Sequence, residues 1–261
     1  MSSTMLENIL SNRNRTANLK VVFVDVTSYS KRRSITQAEV IDAFMVALDS
    51  AITGISQQYV RYAQDNGSDF QKDVICLPSG DGAAIVFPFD GTHDIHLQFC
   101  KLLLQNIYEH NGQNRCAKFE NNGWCNCHDN YNISVGVSEG KGILYKDVNN
   151  NYNVAGNVIN LAARLMSIAE KNQILLSEEA YSQLVDMVDD PYLDDKFTHY
   201  HDVYIKHGLK ITVYQYTPRD CCFLNCEAPT KVGMQKAHRT STLARDRFSD
   251  NESLLQLATE N

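Results

Sequence analysis

Two aspartates stand where hydrophobic strands give way to turns, and that placement suits metal-assisted chemistry. Asp25 follows the apolar run Leu19-Lys20-Val21-Val22-Phe23-Val24. Asp81 lies in Ser79-Gly80-Asp81-Gly82, between Val74-Ile75-Cys76-Leu77 and Ala83-Ala84-Ile85-Val86-Phe87. Glycine on both sides of a carboxylate suits a hairpin turn, because glycine takes positive φ without a steric penalty. If the two strands are neighbours in one sheet, both carboxylates project from the same end of it. Paired carboxylates hold hard divalent cations, and paired cations drive in-line phosphoryl chemistry. Taken singly, each aspartate is a plain strand end or turn residue.

A third segment adds donors for a nucleotide. In Gly156-Asn157-Val158-Ile159-Asn160-Leu161-Ala162-Ala163-Arg164-Leu165 the apolar residues keep a helical period from Val158 onward. Asn160 and Arg164 are four apart and share one face of that helix. An amide and a guanidinium on one face suit a ribose and a phosphate, since arginine presents a planar fork of donors to phosphate oxygens. Alone, such a pair is ordinarily a solvated face.

The elements that must position these groups alternate along the chain. A strand is expected over 19–26, then a long helix over 36–57 through Ile41, Phe44, Met45, Leu48, Ile52 and Ile55. A loop over 60–71 leads into strands over 72–78 and 83–89, followed by a helix over 93–110. A polar insertion fills 111–130, and Ile133, Val135 and Val137 alternate as a strand. The Asn160 helix over 157–170 precedes a strand over 173–176 and a helix from 178, which Ser177 caps. Strands over 198–206 and 210–217 close the order. This β-α-β-β-α-β sequence is a ferredoxin-like α+β core with extra C-terminal strands. Three parts are expected: an N-terminal extension over 1–18, a catalytic domain over 19–217 and a polar tail over 218–261. The extension carries an apolar stripe (Met5, Leu6, Ile9, Leu10) fit for core or dimer packing, and the tail a short helix over 252–258.

Composition bounds the partners. A hydrophobic content of 43% in 261 residues supports a well-buried core. A net charge of -7 without a basic stripe argues against a nucleic-acid duplex. No apolar run reaches transmembrane length and the start lacks a signal-peptide pattern, so a cytoplasmic location is expected. Eight cysteines include two clusters, Cys116/Cys125/Cys127 with His128 and Cys221/Cys222/Cys226. Cys125-Asn126-Cys127-His128 is tighter than the usual zinc spacing, so reduced structural thiols are expected, with Cys76 and Cys100 buried.

In order and spacing, the three segments resemble the class III nucleotidyl cyclases, the adenylate and guanylate cyclase catalytic domains. The carrying motifs are Phe23-Val24-Asp25-Val26-Thr27-Ser28-Tyr29-Ser30, Gly80-Asp81 and Gly156-Asn157-Val158-Ile159-Asn160-Leu161-Ala162-Ala163-Arg164, and the likeness runs from about residue 19 to 217. The resemblance implies attack of a ribose 3′-hydroxyl on its own α-phosphate, giving a 3′,5′-cyclic monophosphate and pyrophosphate. Asp25, Asp81 and the carbonyl of Val26 would hold two divalent ions, Mn²⁺ or Mg²⁺. Thr27, Ser28, Tyr29 and Ser30 would bind phosphates through their amides, and Lys206, or alternatively Lys210, would reach the triphosphate. Asn160 would orient the ribose and Arg164 would meet the charge on phosphorus. The family draws the metal pair and the Asn/Arg pair from opposite subunits, so a homodimer with shared active sites is expected.

Two departures bear on the substrate. Where the family has an arginine before its next glycine, this chain has Ser134, and the run Lys31-Arg32-Arg33 is either a substitute or a solvated helix entrance. The base-reading positions fall at Leu77 and Asn153, and a leucine cannot pair with a purine edge. This resembles the pyrimidine cyclases of bacterial antiphage defence (the Pycsar type), which make cyclic UMP or cyclic CMP. The expected substrate is therefore UTP or CTP. A purine cyclase with an altered pocket, or a catalytically silent cyclase-like domain, is the alternative. The turn Ser79-Gly80-Asp81-Gly82 is not the signature of a GGDEF diguanylate cyclase.

Overall fold

The computed structural model describes residues 5–205 and 208–232. Eight strands form one mixed sheet in the order β2-β3-β1-β4-β6-β8-β7, with β5 paired to the far end of β4. They are β1 (Thr16–Val26), β2 (Ile75–Ser79), β3 (Gly82–Phe87), β4 (Ile133–Lys146), β5 (Tyr152–Ala155), β6 (Ile174–Leu176), β7 (Phe197–Ile205) and β8 (Leu209–Tyr216). The expected α+β core with added C-terminal strands is present.

Alternation along the central strands sorts their side chains onto two faces. Val22, Val24 and Val26 of β1, Ala83, Ile85 and Phe87 of β3, and Ile133, Val135 and Val137 of β4 share one core. The helices α2 (Ser34–Gln58), α5 (Ile95–Gln113) and α8 (Glu178–Met187) contribute Phe44, Leu48, Phe99, Leu103 and Leu184 to it. On the other face, Leu19, Val21, Ala84 and Val86 meet Val158 and Ala162 of α7 (Asn157–Ile168). Leu6 of α1 (Met5–Ser11) is buried against this second core, with Ile9 and Leu10 beside it. The apolar stripe of the N-terminal extension is thus spent on the chain's own core. Ser177 caps α8 as expected, its hydroxyl accepting from the N–H of Ala180.

Gly136 brings α7 close to the sheet. A Cβ there would lie 2.2 Å from the carbonyl oxygen of Ala162 and 2.2 Å from the nitrogen of Met166. Helix backbone therefore rests directly on strand backbone.

Three expectations need correction. Residues 60–71 are not a loop but largely two short helices, α3 (Val60–Asn66) and α4 (Phe70–Asp73). Burial of Phe70 against Phe89, with ring centroids 4.3 Å apart, holds this polar stretch in place. Cys100 is buried, but Cys76 is exposed, because β2 is the edge strand of the sheet. The insertion holds a further helix, α6 (Ala117–Asn122). The expected tail helix over 252–258 lies outside the described residues.

Candidate active site

Sheet register brings the two aspartates together. Asp25 pairs with Gly82 on one side and with Ser134 on the other. The next residue, Val26, donates its N–H to the carbonyl oxygen of Asp81 at 3.1 Å. Asp81 sits in the β2–β3 turn, where Gly80 takes φ 64°. Gly82 makes room for the site: a Cβ there would meet the Val24 carbonyl at 2.2 Å and Oδ1 of Asp25 at 3.2 Å. Burial, reinforced by the negative charge of Asp81, pushes the Asp25 carboxyl up to about 6. Two close carboxylates with the Val26 carbonyl beside them form an all-oxygen donor set, which fits a hard divalent cation.

The loop after Asp25 is anchored by the residue that leads into the neighbouring strand β4. Thr27 gives both its N–H (2.9 Å) and its hydroxyl (3.2 Å) to the carbonyl of Asn132. The Thr27 amide is therefore occupied, which corrects its expected part in phosphate binding. Ser28 has φ 56°, in the left-handed region, and Tyr29–Lys31 forms a single 3-10 turn. Amides at the start of such a turn lack partners within it, which leaves the Ser28–Ser30 segment as the candidate cradle.

Of the basic run, Arg32 is not solvated. It is buried, and its Nη1 donates to the carbonyl of Cys125 in the insertion. Lys206 lies outside the described residues. Lys210, the alternative, is paired with Asp202 at 2.8 Å.

Asn160 and Arg164 lie on α7 away from Val158, Ala162 and Leu165, which face the sheet. Asn160 is exposed and Arg164 half-buried. Arg164 lines a groove of about 380 Å³ with Glu139, Lys141, Asn157, Leu209 and Ile211. Among the described residues, no hydrogen bond or ion pair joins this pair to the two aspartates.

The two base-reading positions do come together. Leu77 on β2 and Asn153 on β5 line one groove of about 350 Å³, with Ile75, Pro78 and Tyr152. The side-chain oxygen of Asn153 accepts from the N–H of Val154 at 2.7 Å. Sequence reasoning missed Asn132 and Gly82 as parts of the site. The Gly-Asp-Gly turn carried a signal for Gly82; nothing local to Asn132 marks it.

Comparison with known proteins supplies the family and the fold. The family model for the adenylate and guanylate cyclase catalytic domain matches residues 79–217, a region that holds Asp81, Asn153, Asn160 and Arg164. No curated protein sequence matches the chain. The adenylyl cyclase CyaB from P. aeruginosa is similar in fold, with TM-score 0.54 and 16% identity over 79% of this chain and 97% of that one. The guanylate cyclase domain of RhGC from Catenaria anguillulae, solved with GTP, gives 0.52 and 17% over 78% and 98%. An adenylate/guanylate cyclase/hydrolase from Silicibacter pomeroyi gives 0.51 and 17% over 78% and 98%. Those likenesses establish the fold, and the family match covers more than half of the sequence. The chain is thus a nucleotidyl cyclase catalytic domain, a member of the adenylate and guanylate cyclase family.

Proposed function

We propose that the protein cyclises a pyrimidine nucleoside triphosphate as a homodimer whose two active sites each draw on both chains. The 3′-hydroxyl gives up its proton to water as its oxygen forms a bond to the α-phosphorus, the bond from that phosphorus to the bridging oxygen breaks, and pyrophosphate leaves. Asp25, Asp81 and the Val26 carbonyl are the residues that would hold divalent ions, Mn²⁺ or Mg²⁺. Bound there, such ions lower the pKa of the hydroxyl and neutralise the leaving group. The Ser28–Ser30 amides cradle phosphate oxygens. Asn160 of the second copy orients the ribose, and Arg164 of that copy meets the charge developing on the phosphoryl oxygens. A donor aimed at developing charge contributes about 3–4 kcal/mol.

One observation carries the reading: a backbone hydrogen bond and a strand register hold two carboxylates together, while among the described residues no hydrogen bond or ion pair joins Asn160 or Arg164 to them. A two-fold dimer brings one chain's pair to the other's and makes two equivalent sites from one sequence.

The preference for a pyrimidine rests on Leu77 and Asn153 sharing a groove. Leucine offers a purine edge no partner, and an unpaired polar edge is disfavoured. With its oxygen held by Val154, Asn153 presents a donor, which suits the O4 carbonyl of uracil better than the amino group of cytosine. UTP is therefore the preferred substrate and CTP the second. We read the product as a second messenger of antiphage defence on the sequence resemblance alone. The expected location is the cytoplasm; among the described residues, no helix is long and apolar enough to cross a membrane.

The test is kcat/KM for UTP, CTP, ATP and GTP with Mn²⁺ and with Mg²⁺, each product identified by mass. A pyrimidine should lead. A lead of about tenfold (~1.4 kcal/mol) by ATP or GTP makes the protein a purine cyclase with a relaxed base pocket. Absence of any cyclic product with correctly folded, metal-supplied protein supports the silent alternative.

A further inference from the structure

The insertion 111–130 gathers three cysteines that the cyclase chemistry does not use. Cys116 opens α6, and Cys125 and Cys127 follow it after Gly123 turns the chain at φ 73°. Their three sulfur atoms lie within 4.8 Å of one another. A tetrahedral zinc ion with Zn–S bonds of about 2.3 Å sets its sulfurs about 3.8 Å apart. The thiols are thus within small side-chain movements of one shared ion. A disulfide would use two of them and strand the third.

A second observation is the side chain that Cys125 holds. Arg32 is only 5% exposed, and its Nη1 donates to the Cys125 carbonyl at 3.2 Å. Its Nε and Nη2 have no hydrogen-bond partner among the described residues. A buried cation with unspent donors is costly unless a negative charge stands near. Three thiolates around a dication leave one net negative charge, which would add to that of Asp129 in compensating the guanidinium.

We propose that Cys116, Cys125 and Cys127 bind one zinc ion, with the buried Arg32 guanidinium compensating the thiolate charge. The fourth coordination position opens toward solvent, because Cys127 is exposed and no other Cys, His, Asp or Glu donor joins the group among the described residues. The ion would pin the insertion to the loop that follows Asp25. Cys125 holds Arg32 through its carbonyl, and Asn126 accepts the N–H of Arg33 at 2.8 Å. Arg32 and Arg33 lie between the Ser28–Ser30 segment and α2, so the proposed site steadies the phosphate side of the active site without touching substrate. Sequence spacing alone points away from zinc; the fold supplies the third sulfur from nine residues upstream of Cys125.

The test uses the full chain purified under reducing conditions. Elemental analysis should find about one zinc per chain. After chelation, Co²⁺ should restore an intense thiolate-to-cobalt charge-transfer band with tetrahedral d–d absorption. Cys127→Ser, at an exposed position, should lose both the zinc and the band while keeping the native circular dichroism. The triple variant Cys221→Ser/Cys222→Ser/Cys226→Ser should keep both. Zinc removal should also raise hydrogen exchange in 27–37. The proposal fails if wild-type protein takes up neither ion. It fails equally if the band survives Cys127→Ser and vanishes in the triple variant, or if mass mapping finds a disulfide within the cluster under the same reducing conditions.

Discussion

The carboxylate end of the sheet and the outer face of α7 are built in opposite ways. Asp25 and Asp81 are fixed by backbone: a strand register, a hydrogen bond from Val26 and a glycine with no room for a side chain. Asn160 and Arg164 are fixed only by standing on a helix whose other side is buried. One half of the site stays organised whether or not a ligand is present. The other half offers side chains that gain their geometry from what they meet. Metal-holding groups must be placed before the ion arrives, whereas groups that answer a developing charge can be supplied by a second molecule.

The largest expected effect breaks the first half. Asp25→Ala or Asp81→Ala should lower turnover by about a thousandfold or more, through loss of a metal ligand. Circular dichroism and thermal midpoint should stay near those of the wild type; near-wild-type turnover in either variant would remove the metal assignment. Arg164→Ala should lower kcat by about a hundredfold to a thousandfold, the worth of one charge-stabilising donor. Its thermal midpoint should change little, because among the described residues the side chain makes no hydrogen bond or ion pair.

Mixing sharpens the comparison. Asp81→Ala and Arg164→Ala chains, allowed to exchange, should form heterodimers with one intact site. Random pairing of equal amounts predicts about a quarter of wild-type activity. No recovery despite proven exchange would place both halves in one chain.

The pH dependence should divide the halves again. Asp25, held up to about 6, keeps its proton until near-neutral pH when no metal is bound. Metal must displace that proton, so the metal concentration for half-maximal activity should rise about tenfold per pH unit below 6. Arg164→Ala should leave this dependence unaltered. A half-maximal metal concentration that is flat between pH 5 and 8 would contradict it.

The smallest effect concerns stability. The folded Asp25 binds its proton more tightly than the unfolded one, so stability falls as pH rises from the ordinary carboxylate range through about 6. Above that window the charged pair opposes folding. Asp25→Asn should then raise stability at pH 8 by roughly 1 kcal/mol, after allowance for solvent screening, and change little at pH 4. Denaturant unfolding at the two pH values measures it.

What the sequence disclosed follows the range of the forces involved. Strands such as β1 and β3 and the helix α7 were legible from period alone, and the motif residues came with them. The helices α3 and α4 were not, because Phe70 is held by Phe89, a partner across a strand pair. Arg32 looked like one of three solvated charges, yet its burial depends on Cys125, 93 residues away. Thr27 spends its amide on Asn132, 105 residues away, and neither end carries a local mark of that bond. Leu77 and Asn153 were picked out by motif position, but only the β4–β5 arm folding back toward β2 shows that they share a groove.

The contact at Gly136 has a consequence for variation. The height of α7 above the sheet is set by main-chain atoms, which substitutions other than proline on the helix leave in place. Its exposed position 160 and half-buried position 164 thereby carry little of the packing. A library randomised at 160 and 164 should consist almost wholly of folded proteins, so a screen for new substrates at these positions would sort members by chemistry and not by solubility.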